Sequence, residues 1–301
     1  MLGGNLPYFT VFTPTYNRAY ILSQVYESLR VQTFQDFEWL IIDDGSTDGT
    51  QALVEEWIKK KELNIRYIYQ NNQGKHAAHN VAVEHATGYL FLVFDSDDRC
   101  VNTALERLRF HWEDIDISQR DQFSTLSVLC MDDESNVLGQ EYPNYICDIA
   151  DPDLQRQYRS MGDKWGVNVT EILKQYEFPI IAGERFIAES IVWNRVSLVY
   201  SARFVNEKLC IKVYRNDGLT QSSVRIRVNN PCGASLVYLE EFKILKGLAS
   251  RFKSAINYVR FALRTNKMEI IFPSCKASLL MMCAFPVGCA FYFVDSYRVK
   301  K

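Results

Sequence analysis

Several common signatures are missing from this chain. Its eight cysteines (Cys100, Cys130, Cys147, Cys210, Cys232, Cys275, Cys283, Cys289) are scattered without a CxxC pair or zinc-like spacing. That excludes a zinc ribbon and predicts buried, reduced thiols of a cytoplasmic protein. No charged-apolar-small leader opens the sequence, so secretion by the usual route is not expected. There is no low-complexity tract and no short-period repeat. A Gly-rich phosphate loop does not follow the first apolar run. Pro14-Thr15-Tyr16-Asn17 stands there instead, which argues against a nucleotidyltransferase built on such a loop. Net charge, only -2, predicts nothing about partners; no nucleic-acid partner is expected.

What is present, across 301 residues, is enough chain to bury a sizeable core. Apolar segments alternate with amphipathic ones. Phe9–Thr13 reads as a strand, with Asn17 as N-cap of a helix from Arg18 to about Val31. Phe37–Ile42 is a second strand, and Asp48 precedes a helix over Gly49–Lys60. Ile65–Tyr69 is a third strand, followed by a helix near His76–Thr87. Leu90–Phe94 is a run of five apolar residues, as a strand buried on both faces requires. Strand and helix alternating at this spacing predict an α/β fold with a doubly wound, mainly parallel sheet.

Beyond about residue 115 the pattern changes. Phe123–Met131 is a strand, 141–160 reads as irregular, Asn168–Tyr176 as a short helix, Glu184–Leu198 as a helix and Leu209–Tyr214 as a strand. The expected organisation is 1–115 and 116–239 as two halves of one catalytic domain, with 240–301 as a separate tail. That tail is basic, residues 241–301 holding eleven Lys/Arg against three Asp/Glu. Glu240–Asn266 has helical apolar spacing, and a basic amphipathic helix suits an anionic membrane surface. Ala277–Val294 is nearly all apolar and close to the length of a spanning helix. Such a tail predicts attachment to a membrane surface.

The fourth apolar run breaks into Asp95-Ser96-Asp97-Asp98, three carboxylates within four positions. Residues two apart in extended chain share a side, so Asp95 and Asp97 can share a ligand where the strand leaves the sheet. Ligands in open α/β sheets bind at that edge. Like charges so close repel, and a divalent cation would offset that. The competing reading makes Asp98 or Asn102 the cap of a helix starting near Asn102. His76 and His79, three apart on one helix face, read as solvent-facing or as outer support for the same crevice.

Five motifs in order carry a resemblance: Thr13-Pro14-Thr15-Tyr16-Asn17-Arg18, Gln32-Thr33-Phe34, Ile41-Ile42-Asp43-Asp44-Gly45-Ser46-Thr47-Asp48, Asn72-Gln73-Gly74-Lys75 and Asp95-Ser96-Asp97-Asp98. Together, over about residues 7–115, they resemble the nucleotide-sugar half of family 2 inverting glycosyltransferases with the GT-A fold. The resemblance implies a UDP-sugar donor. Pro14, Thr15 and Tyr16 would lie along the uracil, Asp44 would accept from its N3–H, and Lys75 would face a phosphate. Asp95 and Ser96 would lie at the ribose or donor sugar, while Asp97 and Asp98 would hold Mg²⁺ or Mn²⁺. Gly183-Glu184-Arg185-Phe186-Ile187-Ala188-Glu189-Ser190 resembles the segment that carries the acidic base. Glu189 is the first candidate and Glu184 the second. Many relatives have Glu-Asp where this chain has Glu189-Ser190, which keeps a non-catalytic nucleotide-sugar-binding protein as the alternative. The implied activity is transfer of a hexose to a lipid-linked or oligosaccharide acceptor in surface polysaccharide assembly, at the cytoplasmic face of a membrane.

Overall fold

The structure, a computed structural model, describes residues 6–212, 223–265 and 279–299. The chain packs as two units. The first comprises Met1–Glu177 with Arg195–Tyr214, the second Phe178–Asn194 with Arg215–Lys301.

The first unit begins with the expected alternation: β1 (Phe9–Thr15), α1 (Ser23–Arg30), β2 (Phe37–Asp43), α2 (Thr50–Lys60), β3 (Ile65–Tyr69), α3 (Lys75–His85) and β4 (Leu90–Val93). β1 pairs in parallel with β2 and β4, and β2 with β3. Phe9, Val11, Trp39, Ile41, Leu90 and Leu92 share one core cluster with Val54 and Trp57. Each such side chain, fully buried, contributes about 1.5–3 kcal/mol. β1 continues through Pro14, two residues further than expected. Phe12 O accepts from Phe94 N, whereas Thr15 O accepts from Asp44 N. Alternation therefore turns the nitrogen of Pro14 towards the β4 side, beyond the end of that strand, where no ladder bond is lost.

Then follow β5 (Arg99–Cys100), α4 (Ala104–Glu113), β6 (Phe123–Met131), β7 (Ile146–Ile149), α5 (Pro152–Arg159), β8 (Lys164–Val169), α6 (Thr170–Leu173), α7 (Ser190–Ser197) and β9 (Ser201–Ile211). The sheet has the order β3-β2-β1-β4-β8-β6-β9-β5, with β7 also on β9. β8 lies antiparallel between β4 and β6, so the parallel N-terminal strands continue into a mixed half. Three expectations change here. The irregular stretch 141–160 holds β7 and α5, whose N-cap Asp151 accepts from Asp153 N and Leu154 N. The helix expected over Asn168–Tyr176 is the end of β8 plus one turn. The helix expected from Glu184 starts only at Ser190.

In the second unit α8 (Ser223–Asn229), α9 (Pro231–Ile244), α10 (Leu248–Ala262) and α11 (Leu279–Val299) follow. The single helix expected over Glu240–Asn266 is two, broken at residues 245–247, where Leu245 is extended and Gly247 precedes α10. Part of its basic face is also engaged, although Lys243, Lys246 and Lys253 are exposed. Arg260 makes a bidentate pair with the buried Asp295 of α11 (2.6 and 2.8 Å), and Arg264 donates to Tyr292 O. Over Leu279–Tyr297, α11 has a mean hydropathy of 1.6 and is 17% buried, long and apolar enough to cross a membrane.

α11 meets α10 through Gly288. A Cβ there would stand 2.6 Å from Val259 Cβ. Gly288→Leu is therefore expected to force the two helices apart and destabilise this unit by about 1–3 kcal/mol. Urea unfolding followed by helix circular dichroism reads this, and an unchanged midpoint would show that the contact is loose.

Candidate functional site

Parallel β1, β2, β3 and β4 place their carboxyl ends along one edge, and the loops leaving that edge are stitched to each other. Asn17 has φ 52° and does not cap α1, whose N-cap is Leu22. Its backbone N donates to Ser46 Oγ, and its Oδ1 accepts from Thr47 N, both at 2.8 Å. Asp48 Oδ2 accepts from Ala19 N, while its Oδ1 accepts from Thr50 N at the start of α2. The β1–α1 and β2–α2 loops thus form one surface. On it Thr15 is buried and Tyr16 is 48% exposed.

Asp43 and Asp44 close β2 and divide the work. Asp43 accepts from Ser46 N and from the Tyr67 hydroxyl, both at 2.7 Å. Burial and that carboxylate hold the phenol of Tyr67 well above its ordinary range. Asp44, also buried, accepts from Gln70 Nε2 (2.7 Å), Gln73 N (2.8 Å) and Gly74 N (2.7 Å). It therefore shapes the loop that ends in Gly74 (φ 96°) and opens α3 at Lys75.

His76 and His79 of α3 are both buried rather than solvent-facing. Burial lowers the pKa of His76 against the opposing charge of Asp44. His79 packs edge-on against Phe12 and Phe91.

The acidic loop lies just past β4. Asp95 Oδ1 is 2.6 Å from Lys75 Nζ, and its Oδ2 is 3.9 Å from Lys212 Nζ. Lys212, directly after β9, stands 2.7 Å from Asp98 Oδ2. Burial opposes ionisation of Asp95, but the two ammoniums outweigh it and hold the carboxyl below its ordinary range. Asp98 goes the other way. Burial raises its pKa despite Lys212, and Asp95 and Asp97 add to the rise. Lys212 is held above its ordinary range, since Asp95 and Asp98 outweigh its burial.

Asp98 therefore does not cap the following helix. The N-cap of α4 is Thr103, which makes no side-chain cap bond. Asp97 is half-buried, and among the described residues it makes no hydrogen bond or ion pair. An uncommitted carboxylate beside two others is a fitting ligand for a hard divalent cation. No group of three or more ligating side chains is preassembled among the described residues.

One residue of the sequence motifs acts from behind this loop. Gln32 is buried, and its Nε2 donates to Ser28 O (2.9 Å) and Val101 O (2.8 Å) while its Oε1 accepts from Leu105 N (3.0 Å). It fastens the far end of the acidic loop to α1 and α4. Gln32→Leu would remove the side-chain partner of Ser28 O and Leu105 N, while Val101 O keeps Ala104 N, and a loss of about 2–4 kcal/mol is expected. Chemical denaturation reads this, and a wild-type midpoint would contradict it.

Of the predicted site residues, Pro14, Thr15, Tyr16, Asp44, Lys75, Asp95, Ser96, Asp97 and Asp98 all lie on or beside the loops of this one edge. Lys212 joins them and was not expected. Glu184 and Glu189 belong to the second unit. Both oxygens of Glu184 are engaged there, Oε1 with Cys232 N and Oε2 with Gly233 N at 2.7 Å each. A carboxylate against the first amides of α9 is a stable helix cap, which leaves Glu184 poorly placed to take a proton. Glu189 is exposed, immediately before α7.

The sequence model described as glycosyl transferase family 2 matches residues 10–136. Relatives of higher identity match a smaller share of the chain: 40% over 102 residues in one named as a glycosyltransferase of Rickettsia felis, where the match covers 34% of this chain and 17% of the relative. The chain thus spans less than a fifth of that protein. The GalNAc(5)-diNAcBac-PP-undecaprenol beta-1,3-glucosyltransferase of Campylobacter jejuni is 24% identical over 279 residues, covering 85% of this chain and 84% of that one. Among solved structures, Staphylococcus aureus TarS 1-349 in complex with UDP-GlcNAc superposes with a TM-score of 0.63 at 19% identity, over 94% of this chain and 80% of that one. The mannosyltransferase PcManGT of Pyrobaculum calidifontis, in complex with GDP-Man and Mn²⁺, does so at 0.56 and 15% identity, over 96% and 88%. The fold is the GT-A fold of these glycosyltransferases.

Proposed function

We propose, from the premise that residues 10–136 are a glycosyl transferase family 2 segment on a GT-A fold, that the protein transfers a sugar from a UDP-sugar to a lipid-linked saccharide with inversion at the anomeric carbon. The observation that carries the reading is the uncommitted carboxylate of Asp97, set among Asp95, Asp98 and two lysines at the carboxyl edge of the parallel strands. In this reading Asp97 and Asp98 hold Mg²⁺ or Mn²⁺. The ion, when bound, neutralises charge on the departing diphosphate.

The chain's own residues do the rest. Tyr16, with Pro14 and Thr15, offers an exposed ring at the uracil. Asp44 already accepts three hydrogen bonds, and an ionised carboxylate has room for about one more, which the uracil N3–H would fill. Asp95 and Ser96 face the ribose or donor sugar, and Lys75 supplies positive charge to the phosphates. Glu189 takes the proton of the acceptor hydroxyl as it attacks.

The acceptor class rests on the relative that matches nearly the whole chain and whose name specifies a saccharide on undecaprenyl diphosphate. A reaction on such a lipid suits a protein attached to the cytoplasmic face of the membrane. The apolar surface of α11 supports that attachment. Surface polysaccharide assembly is the process proposed for this chain, because such assembly can use saccharides carried on a lipid.

The test is UDP release from a panel of UDP-sugars, with a polyprenyl-diphosphate saccharide present, in manganese, magnesium and chelator. At least one donor is expected to turn over, and chelator to stop it. Donor binding without turnover under any condition would favour the non-catalytic alternative, to which Ser190 in place of the acidic residue points.

A further inference from the structure

Lys212 stands where a bound cation would compete with it. Its backbone is placed by the sheet, because Ile211, the residue before it, is paired with Arg99 of β5. Its ammonium is 2.7 Å from Asp98 Oδ2, and both side chains are largely buried, at 19% and 6% exposure. The second oxygen of Asp95 lies 3.9 Å from the same ammonium, and the first is taken by Lys75. Two lysines thus satisfy two of the three carboxylates. A divalent ion reaching the site alone finds Asp97 uncommitted and a like-charged ammonium on Asp98.

We infer that Lys212 is a counter-cation which the divalent ion displaces from Asp98, so that metal and nucleotide diphosphate bind cooperatively through it. This rests on the acidic loop being the metal and diphosphate site. A lysine is suited to such a hand-over, since its three donors sit on a flexible four-carbon stem and accept any anionic oxygen within reach. The diphosphate supplies that oxygen. It gives the ammonium a new partner, frees Asp98 and adds ligands for the ion. Each ligand then tightens the other by the same factor, as linkage requires.

Manganese binding to the full chain, followed by the electron paramagnetic resonance of free Mn²⁺ with and without saturating UDP, tests this directly. The wild-type protein is expected to bind Mn²⁺ at least about tenfold more tightly when UDP is present. Lys212→Met keeps the stem and removes the charge. It is expected to bind Mn²⁺ alone about tenfold more tightly than wild type, with the effect of UDP reduced to about threefold or less. Lys212→Arg, which restores the charge, should return both values towards wild type. Manganese affinity that ignores UDP in the wild type would overturn the inference, and that arm needs no variant to fold. So would Lys212→Met binding Mn²⁺ alone no better than wild type while both still bind UDP with Mn²⁺; the nucleotide-sugar reading would survive that result. Binding of neither ligand by the wild-type protein would remove both.

Discussion

Replacing Asp97 with alanine is expected to reduce metal-dependent UDP release by about a thousandfold, a loss of roughly 4 kcal/mol of transition-state stabilisation. The melting temperature should stay within a few degrees of wild type. The two halves of that expectation have separate physical grounds. Activity falls because this carboxylate, which has no hydrogen bond or ion pair among the described residues, is the one free to hold the ion. Stability does not, because a half-buried side chain without a hydrogen bond or ion pair leaves nothing unpaired when removed. Its loss also relieves like-charge crowding, for Asp97 is among the groups that raise the pKa of Asp98. Asp98→Ala would differ, since it leaves the largely buried Lys212 ammonium without its 2.7 Å partner. Retained turnover in Asp97→Ala would refute the metal assignment.

The second large effect is expected at Glu189. Glu189→Gln keeps the shape and removes the basicity, and a positioned general base contributes about 10²–10⁴ in rate. Transfer to the acceptor should slow by that order while donor affinity stays at the wild-type value. Titrating UDP beside the transfer assay separates the two quantities. Weaker donor binding with normal turnover would remove Glu189 from the role. Glu184→Gln is the useful contrast. Its carboxylate accepts from two amides at the start of α9, so the variant is expected to lose stability rather than chemistry.

Much of the first half of the fold was legible because burial there leaves continuous marks. Leu90, Phe91, Leu92 and Phe94 are fully buried, and the run of apolar residues announces it. The partners of the acidic loop were not legible. Lys212 is one lysine at the end of a strand, and its partner Asp98 lies 114 residues away in sequence. No local pattern encodes such a pairing.

Glu184 misled for the same reason. A glutamate near a helical apolar pattern reads as the start of that helix, whereas this one caps another helix whose first turn comes 48 residues later. β8 escaped because Lys164-Trp165-Gly166-Val167-Asn168-Val169 has no clean alternation; Asn168 sits buried among the strands by accepting from Thr125 Oγ1 at 2.8 Å. By contrast, α5 carried a readable signal, Asp151 before Pro152 at the first helical position, the ordinary opening of a helix.

Asn17 shows how a right residue can carry a wrong role. Its side chain does accept a backbone N–H, as an N-cap would, but from Thr47 on the neighbouring loop. A short polar side chain tolerates the left-handed backbone found there. The same preference that places asparagine at helix starts here joins two loops at the edge of the sheet.

A crystal of the protein soaked with UDP and MnCl₂, with manganese located by its anomalous scattering, would go furthest towards deciding the matter. The expected result is manganese at the carboxylate of Asp97 and the nucleotide at the same edge, with the uracil beside Tyr16 and Asp44. A nucleotide bound away from this edge, with no manganese on Asp97, would contradict the account at its root.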